Sequence, residues 1–252
     1  MTAPLAGLRV VVTRAEHQSD SLAAAFAREG AIVDLLPLLE IVPPADPRPL
    51  ERAAAELPIY DWVVFTSANA VEAFLPRIQG ALPSRLRAAV VGPATAAALR
   101  SWGIEPHLEA RQSDAEGLAA DLLPLLDRNR RVLLPQAADA RVTLFEALAA
   151  AGAEPVAVVA YYKRLPADGP RRAEALFANS PLGWVTFTSP RIVRSFADLF
   201  GEEWDRRKSE LRAASIGPVT SAELRRHGIE PAAEAERPGD EALVEAVGRQ
   251  VG

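Results

Sequence analysis

The chain is built from one segment used twice. Asp61-Trp-Val-Val-Phe-Thr-Ser-Ala68 returns as Gly183-Trp-Val-Thr-Phe-Thr-Ser-Pro190, a shift of 122 residues. Residues 86–106 return as 211–231 at a shift of 125, with 14 of 21 positions identical. The shift of 122 also pairs Val10 with Val132, Gly30 with Gly152, and Pro44-Ala-Asp-Pro47 with Pro166-Ala-Asp-Gly169. Two copies of a unit of about 115 residues therefore fill the 252-residue chain, each the size of a small domain. Whatever one copy folds into, the other must fold into as well.

Each copy alternates short apolar runs with helical patterns. Residues 8–13 are apolar and β-branched, and residues 19–28 place Leu22, Ala25 and Phe26 at helical spacing before Gly30. The second copy repeats this as 132–134, then 142–151 and Gly152. Extended runs follow at 32–42 and 156–164, each leading into the Pro-Ala-Asp turn. Buried-strand runs come next at 62–66 and 184–188, and Ser67 and Ser189 open helices over 70–75 and 192–199. The last main strands, 88–91 and 213–216, run into Gly-Pro-x-Thr and an alanine-rich helix stopped by Gly103 or Gly228. This alternation predicts doubly wound, parallel α/β sheets.

Composition excludes several classes of function. Lys plus Arg total 28 against 33 Asp plus Glu, a net charge of −5, which opposes a partner held by phosphate attraction, so no nucleic acid is expected. No 18-residue apolar stretch is free of charge or proline, so no membrane span is expected. The first sixteen residues contain no basic segment leading into a long apolar run. The absence of cysteine removes disulfides, thiol nucleophiles and thiolate metal sites, and with the missing signal it points to the cytoplasm. Only Lys163 and Lys208 are lysines, so anion recognition falls to arginine, although coding bias accounts for the same count.

In open α/β sheets, ligands sit at the carboxyl ends of the strands, where helix N-termini point N–H groups outward. Both Thr-Ser segments and both Gly-Pro-x-Thr segments are expected at that edge. Ser67, Ser189, Thr95 and Thr220 are accordingly candidate ligand-facing hydroxyls, and equally candidate N-caps. Gly92 and Gly217 permit a tight turn or a close backbone approach. His17, His107 and His227 are scattered, so no metal site is expected, and neither a dinucleotide nor a P-loop fingerprint is present. Lys163 reads as a solvated strand-end lysine. Tyr161 and Tyr162 are adjacent in a strand, so one faces the core and the other is available to a ligand.

These motifs together resemble the uroporphyrinogen-III synthase family. The resemblance rests on Val12-Thr13-Arg14, Phe65-Thr66-Ser67-Ala-Asn-Ala-Val71, Val91-Gly92-Pro-Ala-Thr95, Tyr162-Lys-Arg, Phe187-Thr188-Ser189-Pro190 and Ile216-Gly217-Pro-Val-Thr220. Gln136 stands where many relatives look to have arginine, and Arg141 can partly replace it. The resemblance implies two flavodoxin-like domains joined by a two-stranded antiparallel ladder. One domain would comprise residues 1–37 and 167–252 and the other 43–157, with 36–42 and 158–166 as connecting strands. The repeat alone suggests instead two sequential domains split near Arg128.

The activity implied is cyclisation of hydroxymethylbilane to uroporphyrinogen III, with loss of water and inversion of ring D. It needs no cofactor, its partner is a small-molecule substrate, and a monomer is expected. The resemblance makes Tyr162 the catalytic candidate, as donor to the departing hydroxyl. Arg14, Thr66, Ser67, Gly92, Thr95, Arg141, Thr188, Ser189, Gly217 and Thr220 are the substrate-binding candidates. A two-lobed, non-catalytic binding or sensor protein is the alternative.

Overall fold

The computed structural model describes residues 3–80, 82–178 and 182–251. In chain order the strands are β1 (Arg9–Val12), β2 (Ile32–Leu35), β3 (Glu40–Val42), β4 (Trp62–Phe65), β5 (Arg87–Val90), β6 (Leu108–Glu109), β7 (Arg131–Ala137), β8 (Glu154–Arg164), β9 (Gly183–Phe187), β10 (Leu211–Ser215) and β11 (Ala233–Glu234). The chain divides into two compact units, Met1–Glu40 with Arg164–Gly252, and Ile41–Lys163.

The first unit holds a parallel sheet in the order β11-β10-β9-β1-β2, the flavodoxin-like arrangement. Its strands are apolar on both faces because helices cover both. Val10, Val12, Trp184 and Ala214 pack with Leu22 and Phe26 of helix Glu16–Arg28 and Leu243 and Val247 of helix Asp240–Gly248. Val11, Val185, Phe187 and Ala213 face the other way, against helices Gly169–Phe177, Pro190–Phe200 and Pro218–Arg226. Successive side chains point to opposite faces, so a run such as Arg9-Val-Val-Val12 must be apolar throughout its buried length.

The second unit repeats this plan with β8-β7-β4-β5-β6 parallel and β3 added at the edge beside β8. Val63, Phe65, Ala88, Val90 and Leu133 face one core; Trp62, Val64, Ala89, Val132 and Leu134 face the other. The two sheets are strung differently along the chain. β1 and β2 come from the first repeat but pair with β9 to β11 of the second, while β7 and β8 of the second pair with β4 to β6 of the first. Each unit is thus assembled by exchange between the repeats.

The extended run over 32–42 is a correction: it is two strands in two sheets. The Leu36 and Leu38 N–H groups donate to the Val12 and Thr13 carbonyls at 2.9 and 3.2 Å, and both leucines are fully buried in the first unit. Pro37, between them, turns its nitrogen to the open edge of the sheet, where no donor is needed, and β3 begins only at Glu40, in the other sheet.

One charge cluster in the first unit predicts acid sensitivity. Glu223 is almost wholly buried; Arg194 donates to its Oε1 at 2.9 Å and Arg226 to its Oε2 at 3.0 Å. The hydrogen bond from Arg194, reinforced by Arg226, holds this carboxyl below its ordinary value of 4.5. A lowered folded-state pKa contributes stability above that ordinary value, and the contribution is lost as pH falls through the folded one. Denaturation midpoints of wild type and Glu223→Gln should therefore differ most at neutral pH and converge as pH falls below 4.5 and through the lowered folded-state value. A gap that stays constant across that range would show that ionisation of Glu223 does not matter.

Candidate active site

Parallel strands bring the carboxyl-end loops of each sheet to one edge. In the first unit that edge carries Thr13 and Arg14 after β1, Thr188 and Ser189 after β9, and Gly217 after β10. In the second it carries Thr66 and Ser67 after β4, Gly92 after β5, Arg141 after β7, and Tyr161 and Tyr162 toward the end of β8. The structure thus gathers Arg14, Thr188, Ser189, Gly217 and Thr220 in one unit and Thr66, Ser67, Gly92, Thr95, Arg141 and Tyr162 in the other.

The four hydroxyl candidates divide into two kinds. Ser67 and Ser189 are N-caps: Ser67 Oγ accepts from the Ala70 N–H at 3.2 Å and Ser189 Oγ from the Ile192 N–H at 3.4 Å. Thr95 and Thr220 are not caps, which corrects that reading. They lie at the third position of helices Pro93–Ser101 and Pro218–Arg226, whose capping residues are Gly92 and Gly217. Their backbone N–H groups reach the Gly92 and Gly217 carbonyls at 3.1 Å, and their side chains are nearly buried, with no hydrogen bond among the described residues. Pro93 and Pro218 carry no N–H and the Thr95 and Thr220 N–H groups are taken, so with no capping side chain it is the Ala94 and Val219 N–H groups and the threonine hydroxyls that are left for a ligand.

The two glycines meet different surroundings. A Cβ at Gly92 would lie 2.4 Å from Ser113 Oγ and 2.9 Å from its Cβ, so any larger residue there would have to displace the Ser113 side chain. At Gly217 nothing lies within 4 Å of that position. Ser113 has no distinguishing motif, and sequence reasoning missed it.

The tyrosines are placed by an irregularity in β8. Val156, Val158 and Ala160 alternate toward one core, and strict alternation would send Tyr162 there too. Between Gln136 and Ala137 the register slips: Gln136 pairs with Val159 but Ala137 with Tyr161. The extra residue reverses the phase, as a bulge does. Tyr161 is 3% exposed and its hydroxyl lies 3.0 Å from Ser67 Oγ, whereas Tyr162 is 45% exposed. Lys163 lies over the Tyr161 ring at 5.8 Å and pairs with Asp139 at 3.4 Å.

Of the basic candidates, Arg14 donates from Nη1 to Asp240 Oδ1 at 2.9 Å, and Asp240 Oδ2 accepts from Ser21 Oγ. Arg141 is exposed and has no ion pair among the described residues, and Gln136 is half-buried on β7. His107 accepts the Ala88 N–H on Nδ1 and His227 lies 3.5 Å from Glu223, at separate places; the side chain of His17 lies outside the described residues.

If these hydroxyls bind a ligand, Thr95→Ala and Thr220→Ala should weaken binding with little change in melting temperature. Ser189→Ala should also lower stability by about 1 kcal/mol, through the lost cap. Exposed Ser84 is the control. Thermal melts beside binding titrations check this; threonine variants that change only the melts would reduce both residues to packing.

The family model described as uroporphyrinogen-III synthase HemD matches residues 20–245. The uroporphyrinogen-III synthase of Synechococcus elongatus is 36% identical over 227 residues, covering 86% of this chain and 86% of that one. Two solved structures share the fold at 20% identity. A mutant uroporphyrinogen III synthase of Thermus thermophilus has a TM-score of 0.65, covering 97% of this chain and 99% of that one. The uroporphyrinogen-III synthetase of Helicobacter pylori has a TM-score of 0.66, covering 95% and 98%.

Proposed function

Because the chain belongs to the uroporphyrinogen-III synthase family, we propose that it closes hydroxymethylbilane to uroporphyrinogen III, with loss of water and inversion of ring D. The observation that carries this reading is the family match over residues 20–245.

The chemistry suits the residues at the strand ends. Pyrrole carbons are already nucleophilic, so the main task is to fold the substrate until the substituted carbon of the last ring attacks first, a matter of positioning. The hydroxymethyl carbon loses its hydroxyl, which leaves as water once a donor supplies a proton; Tyr162, exposed at the end of β8, is our candidate donor. The substrate carries eight carboxylates and the protein a net charge of −5, so attraction must be local. Helix first turns at Gly92 and Gly217, the hydroxyls of Thr66, Ser67, Thr95, Thr188, Ser189 and Thr220, and the guanidiniums of Arg14 and Arg141 supply it in this proposal.

Among the described residues no helix is long and apolar enough to cross a membrane. We place the enzyme in the cytoplasm, which suits a chain without cysteine, and as a monomer, to be checked by light scattering after size exclusion. The activity is tested by incubating purified protein with fresh hydroxymethylbilane and identifying the isomer. The III isomer above the spontaneous I isomer is expected; the I isomer alone would overturn the proposal.

A further inference from the structure

The two strand-end edges derive from repeated sequence, yet they differ at two positions that touch each other in the first unit. Arg14, after β1, corresponds through the shift of 122 to Gln136 on β7. Asp240, which begins helix Asp240–Gly248, corresponds through the shift of 125 to Ala115, which begins helix Ala115–Leu122. That register is secure, because Glu241 and Leu243 match Glu116 and Leu118. The arginine and the aspartate that holds it are therefore present together in one edge and absent together from the other.

The geometry says what the aspartate does to the arginine. Asp240 spends one oxygen on each partner: Oδ1 takes Arg14 Nη1 at 2.9 Å and Oδ2 takes the Ser21 hydroxyl. Among the described residues Nη1 alone of the guanidinium is engaged, and Nε and Nη2 have no hydrogen-bond partner there. The side chains are 25% and 15% exposed, so the pair is shielded enough to stay fixed and open enough to be reached. A planar fork anchored at one corner still offers two parallel N–H groups, the arrangement that a carboxylate accepts in bidentate fashion.

We propose that Asp240 is a positioning residue for the reaction: it fixes Arg14 so that its free donors grip one carboxylate of the tetrapyrrole, a contact the second edge does not duplicate. The inference rests on the functional reading above, and product binding separates the two, since it is measured without turnover. The probe is uroporphyrinogen III, titrated anaerobically, beside KM and kcat for hydroxymethylbilane.

Arg14→Gln should weaken product binding about tenfold and raise KM alike, as expected for a lost charge-assisted contact. Asp240→Ala should weaken binding by about threefold or more, with kcat at saturation within about twofold of wild type. Asp240→Asn, which keeps an oxygen for Nη1, should lie closer to wild type. The double variant Arg14→Gln, Asp240→Ala carries the second edge's own pair of residues; it should fold, and should bind no worse than Arg14→Gln alone, because the aspartate acts through the arginine. A smaller effect of Asp240→Ala, tighter binding by that variant, or losses that multiply in the double variant would each overturn the proposal. Loss of the III isomer from wild type with these binding effects intact would overturn the activity and leave the contact standing.

Discussion

Tyr162→Phe is expected to cut turnover of hydroxymethylbilane about 10²-fold, the low end of general acid effects, with KM nearly unchanged. The phenylalanine keeps the ring and removes the hydroxyl whose proton would leave with the substrate hydroxyl. The exposed position of Tyr162 lets a ligand reach it without moving the core. Tyr161→Phe is the control, because that ring is buried and its hydroxyl meets Ser67. It should register chiefly as about 1 kcal/mol of stability. A fall below about fivefold for Tyr162→Phe would mean that positioning alone carries the reaction. Greater damage from Tyr161→Phe would move the donor role away from Tyr162.

The second large effect is on stability. Phe196→Ala should destabilise the first unit by about 3–5 kcal/mol, the cost of deleting a fully buried aromatic side chain. Its ring has four aromatic neighbours, Phe177, Phe187, Phe200 and Trp204, at centroid distances of 6.2, 5.3, 5.1 and 6.1 Å. Its repeat counterpart Phe74 is also fully buried, and its ring contact is with Phe65 at 6.1 Å. Edge-to-face contacts add to burial, so Phe196→Ala should cost more than Phe74→Ala. Denaturant titration of both variants, followed by circular dichroism because tryptophans lie in both units, gives the two losses. Equal losses in the two variants would show that the ring cluster adds nothing beyond buried area.

The placement of much of the candidate site was legible because strand-end motifs are local. Thr-Ser and Gly-Pro-x-Thr end their strands wherever the chain carries them, so Ser67, Ser189, Gly92 and Gly217 fall at helix starts as read. The role of Thr95 and Thr220 was less legible, since a threonine near a helix start looks like a cap until the backbone shows that the glycine three residues earlier occupies that place. The Arg14–Asp240 pair was invisible, its members being 226 residues apart.

By itself, then, the sequence determined that two like α/β sheets form and where β1, β4, β5, β7, β8, β9 and β10 lie, because these follow from periodicity and caps within ten or so residues; the break between β2 and β3 and the two-residue edge strands β6 and β11 carry no such local signal. It did not determine which strands share a sheet. β4 and β9 carry almost the same residues, Trp-Val-Val-Phe and Trp-Val-Thr-Phe, so β1 has no local chemical reason to prefer one neighbour over the other. The path of the chain decides it: residues 36–38 stay buried beside β1 and β3 joins the sheet of β8, so the first repeat's remaining strands complete the other unit. The choice between Tyr161 and Tyr162 was likewise tertiary. Alternation requires one ring in and one out, but the register slip opposite β7, a property of two paired strands, sets the phase.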